Sequence, residues 1–419
     1  MNGGLVNDAK DWYAEHGAVS LLKRGLEYGY ETKSQPIVRK AIARGFDEVV
    51  IDSQQLKSEY ATRSWDLDDG TDNLTPRVSK ELAPLEGQTG LEHNYYPEFA
   101  FEAPFVAEVD NVTVAGRGAV AIANDGGFIA EPTHSRSQSV TGRVGREISL
   151  AITESPLQLG SKRRRKKLSG RGPSIETAAI LHSQWLSRQS VNYFHWMVEH
   201  LLKVRGIAHY ENVTGADVTL LIPPNPPSFV TESIELLGYD EKKIKEWNGR
   251  AVDIDRLVVP SFPDPTPNAL GWLRERMFNA VSTDLSGPDW IYISRQNEHK
   301  RRVHNYSEIE ALLKQYGVEI VHCEDLSLRE EIQIFNGASS VISPHGAGLT
   351  ATIWGGNLSV VEIFNQVVKA PYYVLAYILG HEYTAMAAPP AETMNEKRER
   401  NMDVDLNEFE QILQEMTEC

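Results

Sequence analysis

The 419-residue sequence is poor in the residues that build disulfide frameworks and metal clusters. It contains two cysteines, Cys323 and Cys419, too far apart in the chain to form a cluster motif, and we predict that both are reduced and incidental. No run of about eighteen uninterrupted apolar residues occurs, which excludes a typical membrane-spanning helix. The first residues, MNGGLVNDAKDWYAEHG, lack the basic and then apolar order of a secretory signal. We therefore expect a cytoplasmic protein.

Positive charge is also scarce, because the formal net charge is -16. A general nucleic-acid-binding protein needs a basic face, so this balance argues against that function class. An acidic, solvated surface is also typical of proteins from a salt-rich cytoplasm. One basic run, SKRRRKKLSGRG at 161–172, contrasts with this acidity. Two interpretations are open: a solvated loop, or a segment that contacts anionic lipid headgroups or a lipid-linked diphosphate at the inner face of the cell membrane.

The length and the order of the sequence patterns predict a mixed α/β protein of two or three domains. Residues 1–60 carry apolar positions at helical spacing, and residues 61–100 have the composition of a loop. Residues 101–152 contain short β-type runs that predict a small antiparallel region. We expect these segments to form an N-terminal extension, residues 1–173, with the basic run as its terminal linker.

From residue 174 onward, strand patterns alternate with helix patterns, which is typical of βαβ units and parallel sheet. The alternation falls into two groups, residues 174–287 and residues 288–419. We predict two doubly wound, Rossmann-like halves that face a cleft. Ligands in such sheets bind beyond the C-terminal ends of the strands, so candidate site residues should follow strands directly.

The stretch VISPHGAGLT, residues 341–350, reads as a strand, a glycine turn and the start of a helix. Pro344 cannot donate to a sheet, so the strand ends near it. A helix N-terminus offers unpaired N–H groups and positive charge, and glycines allow a ligand close to the backbone, as a diphosphate site requires. An ordinary turn with a capping histidine is the alternative. The spacing differs from G-x-G-x-x-G, which disfavours a nicotinamide cofactor. The predicted diphosphate contacts here are His345, Gly346, Ala347, Gly348 and Leu349.

A second candidate is the loop in YISRQNEHKRRVHN, residues 292–305, which follows a strand and carries Arg295, Lys300, Arg301 and Arg302. Arginine matches phosphate oxygens bidentately, and several cations at a strand end suit a diphosphate. The alternative is a solvated basic loop. We predict diphosphate contacts from Arg295, Lys300 and Arg302.

The stretch NYFHWMVEHLL, residues 192–202, places His195 and Glu199 four apart, on one helix face. They suit a general base, alone or as a pair in which Glu199 orients His195. Two alternatives compete: His195 and Trp196 are core-edge residues, or His195, Glu199 and His200 bind a metal. The spacing H-x-x-x-E-H is one residue longer than the metalloprotease motif H-x-x-E-H, so we predict no metal site.

Two further residues are candidates for nucleoside contacts. Glu362 ends the strand pattern LSVVEIF, where a carboxylate can accept both ribose hydroxyls. A plain strand-terminal glutamate is the alternative. Ser327 and its neighbours lie at a strand end beside the expected cleft, where backbone groups can contact the base.

Together these segments resemble glycosyltransferase family 61, whose members include bacterial capsular-polysaccharide proteins, plant xylosyl- and arabinosyltransferases and animal N-acetylglucosaminyltransferases. The matching stretches are NYFHWMVEHLLKV, YISR with RRVHN, LSLREEIQIFNGASSVISPHGAGL and VVEIF, in the family's order, across about residues 105–365. The chain departs from the family pattern at Tyr306, where an acidic residue is usual, at Glu331, where glutamine is usual, and at Ala351, where asparagine is frequent.

The resemblance implies a GT-B fold and an inverting transfer from a nucleotide sugar, usually UDP-linked, without an essential metal or a cofactor. We expect a glycan or lipid-linked saccharide acceptor, in polysaccharide biosynthesis or protein glycosylation. His195 or Glu199 would act as the base on the acceptor-side half, 174–287. The other half, 288–419, would bind the nucleotide sugar, with Arg295, Arg302 and the turn 345–349 stabilising the departing diphosphate. Other function classes stay open: a non-catalytic nucleotide-sugar or glycan-binding subunit, and a metallohydrolase.

Overall fold

In a computed structural model, the chain has a mixed α/β fold with parallel sheets. The structure describes residues 50–67, 92–93, 101, 103–133, 143–168, 170, 173–183, 186, 191–281, 287–391 and 399–418. The strands in this part are β1 (Val50–Ile51), β2 (Arg63–Asp66), β3 (Glu92–His93), β4 (Phe105–Ala115), β5 (Val120–Ile122), β6 (Phe128–Ile129), β7 (Ser174–Ile180), β8 (Thr219–Ile222), β9 (Ile244–Glu246), β10 (Val252–Pro260), β11 (Trp290–Ile293), β12 (Glu319–Val321), β13 (Ser340–Pro344), β14 (Ser359–Phe364), β15 (Val367–Val368) and β16 (Glu382–Ala387).

Helices connect most of these strands. The α-helices of the described residues are Ser53–Gln55, Arg143–Glu154, Pro156–Leu159, Lys162–Arg165, Lys203–Thr214, Ser228–Leu236, Pro267–Ala280, Tyr306–Gln315, Leu328–Gly337, Pro371–Leu379 and Leu406–Glu418. The segments Leu56–Tyr60 and His195–His200 are π-helical, and Glu241–Lys243, Cys323–Asp325 and Ala347–Trp354 are 3-10 helices. The helix expected after the glycine turn is thus a 3-10 helix.

The described residues group into two compact units, and the first draws on Met1–Ser64, Ala107–Ser187 and Trp247–Val259. Its strands follow the order β1-β6-β5-β4-β10-β7. β4, β5 and β6 are antiparallel, in the region for which a small antiparallel sheet is expected, whereas β7 and β10 are parallel. The core of this unit joins the sheet to its helices, with Val50, Ile122, Phe128, Val144, Ile148 and Leu159 among its buried residues.

The second unit draws on Trp65–Val106, Arg188–Glu246 and Pro260–Cys419. Its main sheet has five parallel strands in the order β12-β11-β13-β14-β16. The chain passes from β11 outward to β12 and then back across to β13, so the connections on the two sides of β11 run in opposite directions. The C-terminal ends of β11 and β13 therefore flank a topological switch point, where open α/β sheets bind ligands.

Burial on both faces explains why the strands of this sheet are apolar runs in the sequence. Tyr292, Ile342, Val361, Ile363 and Met386 all lie in one core cluster. The helices Tyr306–Gln315 and Leu406–Glu418 add Ile309, Leu313, Phe409 and Leu413 to that cluster. The sheet is thereby a rigid base for the loops that follow its strands.

The basic run contains one buried arginine. Arg165 is 3% exposed, its Nε donates to the carbonyl of Gly126 at 2.6 Å, and its Nη1 donates to that of Leu159 at 2.9 Å. Its guanidinium carbon lies 4.4 Å from the centroid of the Phe128 ring, a cation–π distance. The exposed cations of the described part of the run are Lys162, Arg163, Arg164, Lys166 and Lys167. One arginine thus anchors the run to the first unit while its neighbours face solvent.

Some predictions lie outside the part of the chain that is described. The helices expected in residues 1–49 and most of the loop expected in residues 61–100 are among them. The domain boundaries after residues 173 and 287 stay predictions. Within the described ranges, the structure has no helix that is both long and apolar enough to cross a bilayer.

Candidate functional site

The site begins with His345, which directly follows β13. Its backbone N–H donates to the carbonyl of Ile363 at 2.8 Å, and its Nδ1 forms a short hydrogen bond with Oε1 of Glu362. The other oxygen, Oε2, accepts from the hydroxyl of Tyr383 at 2.6 Å. The imidazole stacks on Phe364, with ring centroids 5.4 Å apart. The ring of His345 is therefore fixed on three sides.

Burial controls the protonation of this pair. It raises the pKa of Glu362 to about 8, against the lowering effects of the Tyr383 hydrogen bond and of Arg301. Burial, and then the charges of Arg301, Lys369 and Arg295, lower the pKa of His345 well below its usual value. Both shifts favour a neutral pair at neutral pH, in which Glu362 donates its proton to Nδ1 and the imidazole carries its own proton on Nε2. Nε2 is thus a donor, and it makes no hydrogen bond to any described residue.

Arg295 follows β11, on the other side of the switch point. The residue is 7% exposed, and its Nη2 donates to the carbonyl of Lys300 at 3.4 Å and lies 3.8 Å from Glu298 Oε2. Its Nε is buried without a hydrogen-bond partner among the described residues. A Cβ at Gly346 would overlap Nη1 of Arg295 and lie 2.9 Å from its Cζ. The first glycine of the turn therefore makes room for a protein guanidinium.

A second guanidinium belongs to Arg301, a residue of intermediate exposure whose backbone φ of 57° is in the left-handed region. Its Nε is also buried without a partner in the described part of the chain. Burial, and then the charge of Arg295, lower the pKa of Arg301 to about 10, so it is still charged at neutral pH. Because Arg301 acts electrostatically on His345, Glu362 and Tyr372, it belongs to the same site.

The other two cations predicted for this site are placed differently. The ammonium of Lys300 pairs with Glu399 at 2.9 Å and is 41% exposed. Arg302 is exposed, and among the described residues only its backbone makes hydrogen bonds, to Asn401 and Met402. The more buried of these two cations is thus Arg301, whereas Arg302 faces solvent, and the contact predicted for Arg302 stays a prediction. Consecutive cations in a loop give no sequence signal for which one points inward.

His195 and Glu199 meet as predicted by their spacing. His195 begins a π-helical turn, a feature that is frequent at functional sites. Its Nδ1 lies 2.9 Å from Oε2 of Glu199, and their side chains are 22% and 15% exposed. Trp196, in contrast, is fully buried and donates from Nε1 to the hydroxyl of Ser233 at 2.9 Å. The helix therefore separates a partly accessible His–Glu pair from a core tryptophan.

Two aromatic side chains connect this helix with His345. The ring of Phe194 packs edge-on against His195 and against Tyr372, at 5.5 Å in each case. Tyr372, in the helix Pro371–Leu379, lies 5.4 Å from the ring of His345. The structure thereby brings the predicted base pair and the predicted diphosphate turn into one site within the second unit. Sequence reasoning missed Tyr372 because PYYVLAYIL reads only as an apolar helix.

The two residues predicted to contact the nucleoside, Ser327 and Glu362, both have hydrogen-bond partners within the protein, and their nucleoside contacts stay predictions. Ser327 caps the helix Leu328–Gly337: its hydroxyl accepts from Glu330 N, and its own N–H donates to Glu330 Oε2 at 2.8 Å. Its hydroxyl and amide are thus occupied by a capping box. Glu362 is 0% exposed, and both of its oxygens have protein partners. This geometry favours a role in fixing His345 over the predicted contact with a ribose.

The described residues offer no cluster of typical metal ligands. No group of three or more His, Cys, Asp or Glu side chains among the described residues is arranged to hold a metal ion. His200, the third residue of the weighed metal motif, is 1% exposed, and its Nδ1 lies 3.4 Å from Lys203 Nζ. The ammonium of Lys203 thus faces Nδ1 of His200.

This fold and this site define a class: a parallel α/β domain with a buried cationic site at the switch point of its sheet. Residues 193–361 match the family model described as Glycosyltransferase 61. This match confirms the resemblance over residues 193–361, and the segment is a glycosyltransferase domain. It spans His195, Glu199, Arg295, Arg301 and the turn after β13, and it ends one residue before Glu362.

Other comparisons are distant. A comparison with curated proteins finds no match. Among 18 matching chains of solved structures is the dodecameric iron-containing heptosyltransferase TibC in complex with ADP-D-beta-D-heptose, which is 14% identical with a TM-score of 0.25. The match covers 48% of this chain and 63% of that chain, less than two thirds of the heptosyltransferase.

Proposed function

We propose that this protein is an inverting glycosyltransferase that moves a sugar from a UDP-linked donor to a hydroxyl of a glycan or of a lipid-linked saccharide. The observation that carries the proposal is the pair of guanidinium groups of Arg295 and Arg301, whose buried Nε atoms lack partners among the described residues. Buried polar groups are normally satisfied, so two such cations beside a donor at His345 favour a multiply charged anion. A diphosphate has the charge and the oxygens that arginine recognises.

In the proposed reaction, an acceptor hydroxyl attacks the anomeric carbon of the donor from the side opposite the leaving group. His195 or Glu199 takes the hydroxyl proton while the new carbon–oxygen bond forms. The bond between the anomeric carbon and the diphosphate oxygen breaks, and its electron pair leaves with the diphosphate. The configuration at the anomeric carbon therefore inverts.

The charge on the departing diphosphate would be stabilised by groups that are already in position. Arg295, Arg301 and the Nε2 donor of His345 are preorganised, so they need no rearrangement as the charge develops. The 3-10 helix Ala347–Trp354 adds the partial positive charge of its N-terminus. We propose that these groups make a divalent cation unnecessary.

The wider setting is also a proposal. The two predicted Rossmann-like halves would form a GT-B arrangement in a cytoplasmic protein of polysaccharide biosynthesis or protein glycosylation. A lipid-linked acceptor lies at a membrane surface, and the exposed cations between Lys162 and Lys167 are suited to contact anionic headgroups there. Arg165, held by Phe128, would keep that segment in place.

The experiment is a binding and turnover assay with UDP and a panel of nucleotide sugars, on the wild type and on matched variants. Hydrogen bonds to charged groups contribute about 1.5–3 kcal/mol each. Arg301→Met should therefore weaken UDP binding by about tenfold to a hundredfold. Arg302→Met removes an exposed neighbour and should leave UDP binding unchanged. Glu199→Gln and His195→Ala should keep UDP binding and lower turnover, because they change the base and not the diphosphate site.

Several outcomes would contradict this function. Equal UDP affinity in the Arg301→Met and Arg302→Met variants would contradict the proposed diphosphate site at Arg301. UDP binding without turnover, with no effect of changes at His195 and Glu199, would indicate a non-catalytic nucleotide-sugar-binding subunit. Turnover that is lost on chelation and restored by a divalent cation would contradict metal independence.

A further inference from the structure

A buried carboxylate lies next to the proposed site and has no part in the mechanism above. Glu331 is in the first turn of the helix Leu328–Gly337 and is 5% exposed. Its Oε1 accepts a short hydrogen bond from the hydroxyl of Tyr193 and another, 3.1 Å long, from the indole Nε1 of Trp354. One oxygen atom thus joins side chains from three separate elements of the second unit.

The two donors, Tyr193 and Trp354, each lie close in sequence to one part of the proposed site. Tyr193 lies two residues before His195, at the start of the helix that carries the His195–Glu199 pair. Trp354 is the last residue of the 3-10 helix that begins at Ala347, directly after the turn with His345. A shift of either donor relative to Glu331 would move one part of the proposed site relative to the other.

The surroundings make these hydrogen bonds hard to replace. The ring of Tyr193 packs edge-on against Phe229 at 5.1 Å, and that of Trp354 packs edge-on against Phe278 at 6.5 Å. In such an apolar setting a hydroxyl or an indole N–H that loses its acceptor is left unsatisfied. The helix under Glu331 is held as well, because Leu328 N donates to Glu232 Oε2 at 2.8 Å in addition to the Ser327 capping box.

We propose that Glu331 is a positioning residue: its Oε1 fixes the helix that bears His195 and Glu199 relative to the helix that follows the His345 turn. The proposal rests on the function proposed above. It requires an acceptor oxygen at this position rather than a charge. Glutamine therefore satisfies the requirement, and methionine, of similar length, does not.

Proton binding at this carboxylate offers a separate readout. Burial raises the pKa of Glu331 to about 7, against the two hydrogen bonds that lower it. The titratable groups that face it are Tyr193 and Cys323, and burial followed by the charge of Glu331 raises the pKa of both. Of the groups in this cluster, Glu331 is thus the one expected to change charge near neutral pH.

The first measurement is hydrogen exchange of the full-length protein, which needs no substrate. Glu331→Met should speed exchange of backbone amides in 193–200 and in 347–354 by about tenfold, since both helices lose one anchor. Glu331→Gln should keep the wild-type pattern. Tyr316→Phe is the matched control, because it removes another tyrosine–glutamate hydrogen bond of this unit, Tyr316 to Glu410 at 3.3 Å. It should leave both segments unchanged.

The second measurement is steady-state kinetics across pH. A misplacement of about 1 Å can cost about a hundredfold in rate, so Glu331→Met should lower kcat by about that factor with little change in the KM for the nucleotide sugar. Tyr193→Phe should lower kcat as well, and the double variant should be no slower than Glu331→Met, because both changes break one hydrogen bond. Glu331→Gln should retain kcat and lose any step of kcat near pH 7.

The outcomes separate this inference from the function on which it rests. If the wild type transfers no sugar, the proposed function fails, and exchange at 193–200 and 347–354 still decides the role of Glu331. If the wild type is active and Glu331→Met matches it in exchange and kcat, the inference alone is overturned. If Glu331→Met does not fold, Tyr193→Phe decides, because wild-type exchange at 193–200 together with a wild-type kcat in that variant would overturn the inference equally.

Discussion

At the scale of single residues, the turn after β13 is shaped by a neighbouring side chain. Gly346 has a φ of -177°, an extended conformation open to any residue, so its backbone does not require glycine. A Cβ there would instead overlap the guanidinium of Arg295. The sequence indicates that Gly346 lets a phosphate approach the backbone. In the structure, its missing side chain leaves space for Arg295, the residue that would bind the phosphate.

This geometry predicts a separation of stability from activity in Gly346→Ala. The far end of a flexible arginine can move aside, so the melting temperature should fall by no more than a few degrees. The displaced guanidinium of Arg295 should weaken UDP binding by about tenfold, since one charged hydrogen bond contributes about 1.5–3 kcal/mol. Gly356→Ala is the control, because a Cβ there meets nothing within 4 Å. Unchanged UDP affinity in Gly346→Ala would contradict the role assigned to Arg295.

The sequence was least sufficient for predicting which individual side chains form the site. The i,i+4 spacing of His195 and Glu199 predicts their contact, because residues four apart lie on the same face of a helix. The choice between Arg301 and Arg302 depends on the left-handed backbone of Arg301, which no local pattern of cations indicates. Glu362 is buried partly because Tyr383, on the neighbouring strand β16, covers and contacts it. Local sequence cannot show whether a glutamate at a strand end is buried in this way, because the neighbouring strand comes from a later part of the chain.

At the scale of elements, the parallel sheet of residues 288–419 was predictable and the first unit was only partly so. Strands buried on both faces are apolar runs bounded by turn residues, and each keeps that pattern in isolation. Which strands become neighbours is decided by long-range burial. β10 therefore pairs with β7 and lies beside β4 of the antiparallel region, an arrangement that the alternation of helices and strands does not indicate.

Glu331, which joins three elements, predicts a pH-dependent contribution to stability. Its pKa is about 7 in the folded chain and 4.5 without burial, so the folded state binds more protons between these values. The free energy of unfolding must then fall as pH rises through that window. Glu331→Gln lacks this proton, so its stability relative to the wild type should rise by about 3 kcal/mol from pH 4.5 to 7. Below pH 4.5 the wild type keeps the full contribution.

Urea denaturation at several pH values measures this difference directly. The exposed glutamate Glu319 provides the control, and Glu319→Gln should differ from the wild type by less than about 0.5 kcal/mol at every pH. A constant difference between Glu331→Gln and the wild type from pH 4.5 to 8 would show that Glu331 is ionised in the folded protein throughout.

At the scale of the whole molecule, charge is distributed unevenly. The formal net charge of -16 repels an anionic bilayer, so any contact has to be local. The segment 162–167 offers such a contact: its exposed cations flank the buried Arg165, and Leu157, which is 79% exposed, lies on the preceding helix. An exposed leucine beside fixed cations is suited to the interface between headgroups and acyl chains.

This arrangement predicts salt-sensitive binding to vesicles that contain phosphatidylglycerol and none to vesicles of phosphatidylcholine alone. Each basic residue at the surface contributes about 1 kcal/mol. Joint replacement of Arg163, Lys166 and Lys167 by glutamate should thus lower partitioning by at least about a hundredfold. The same replacement at the exposed Lys242, Lys245 and Arg250 changes the net charge equally and should matter far less, because the proposed contact is made by the segment 162–167. Equal losses in the two triple variants would mean that overall charge, and not the segment held by Arg165, governs any attraction to the membrane.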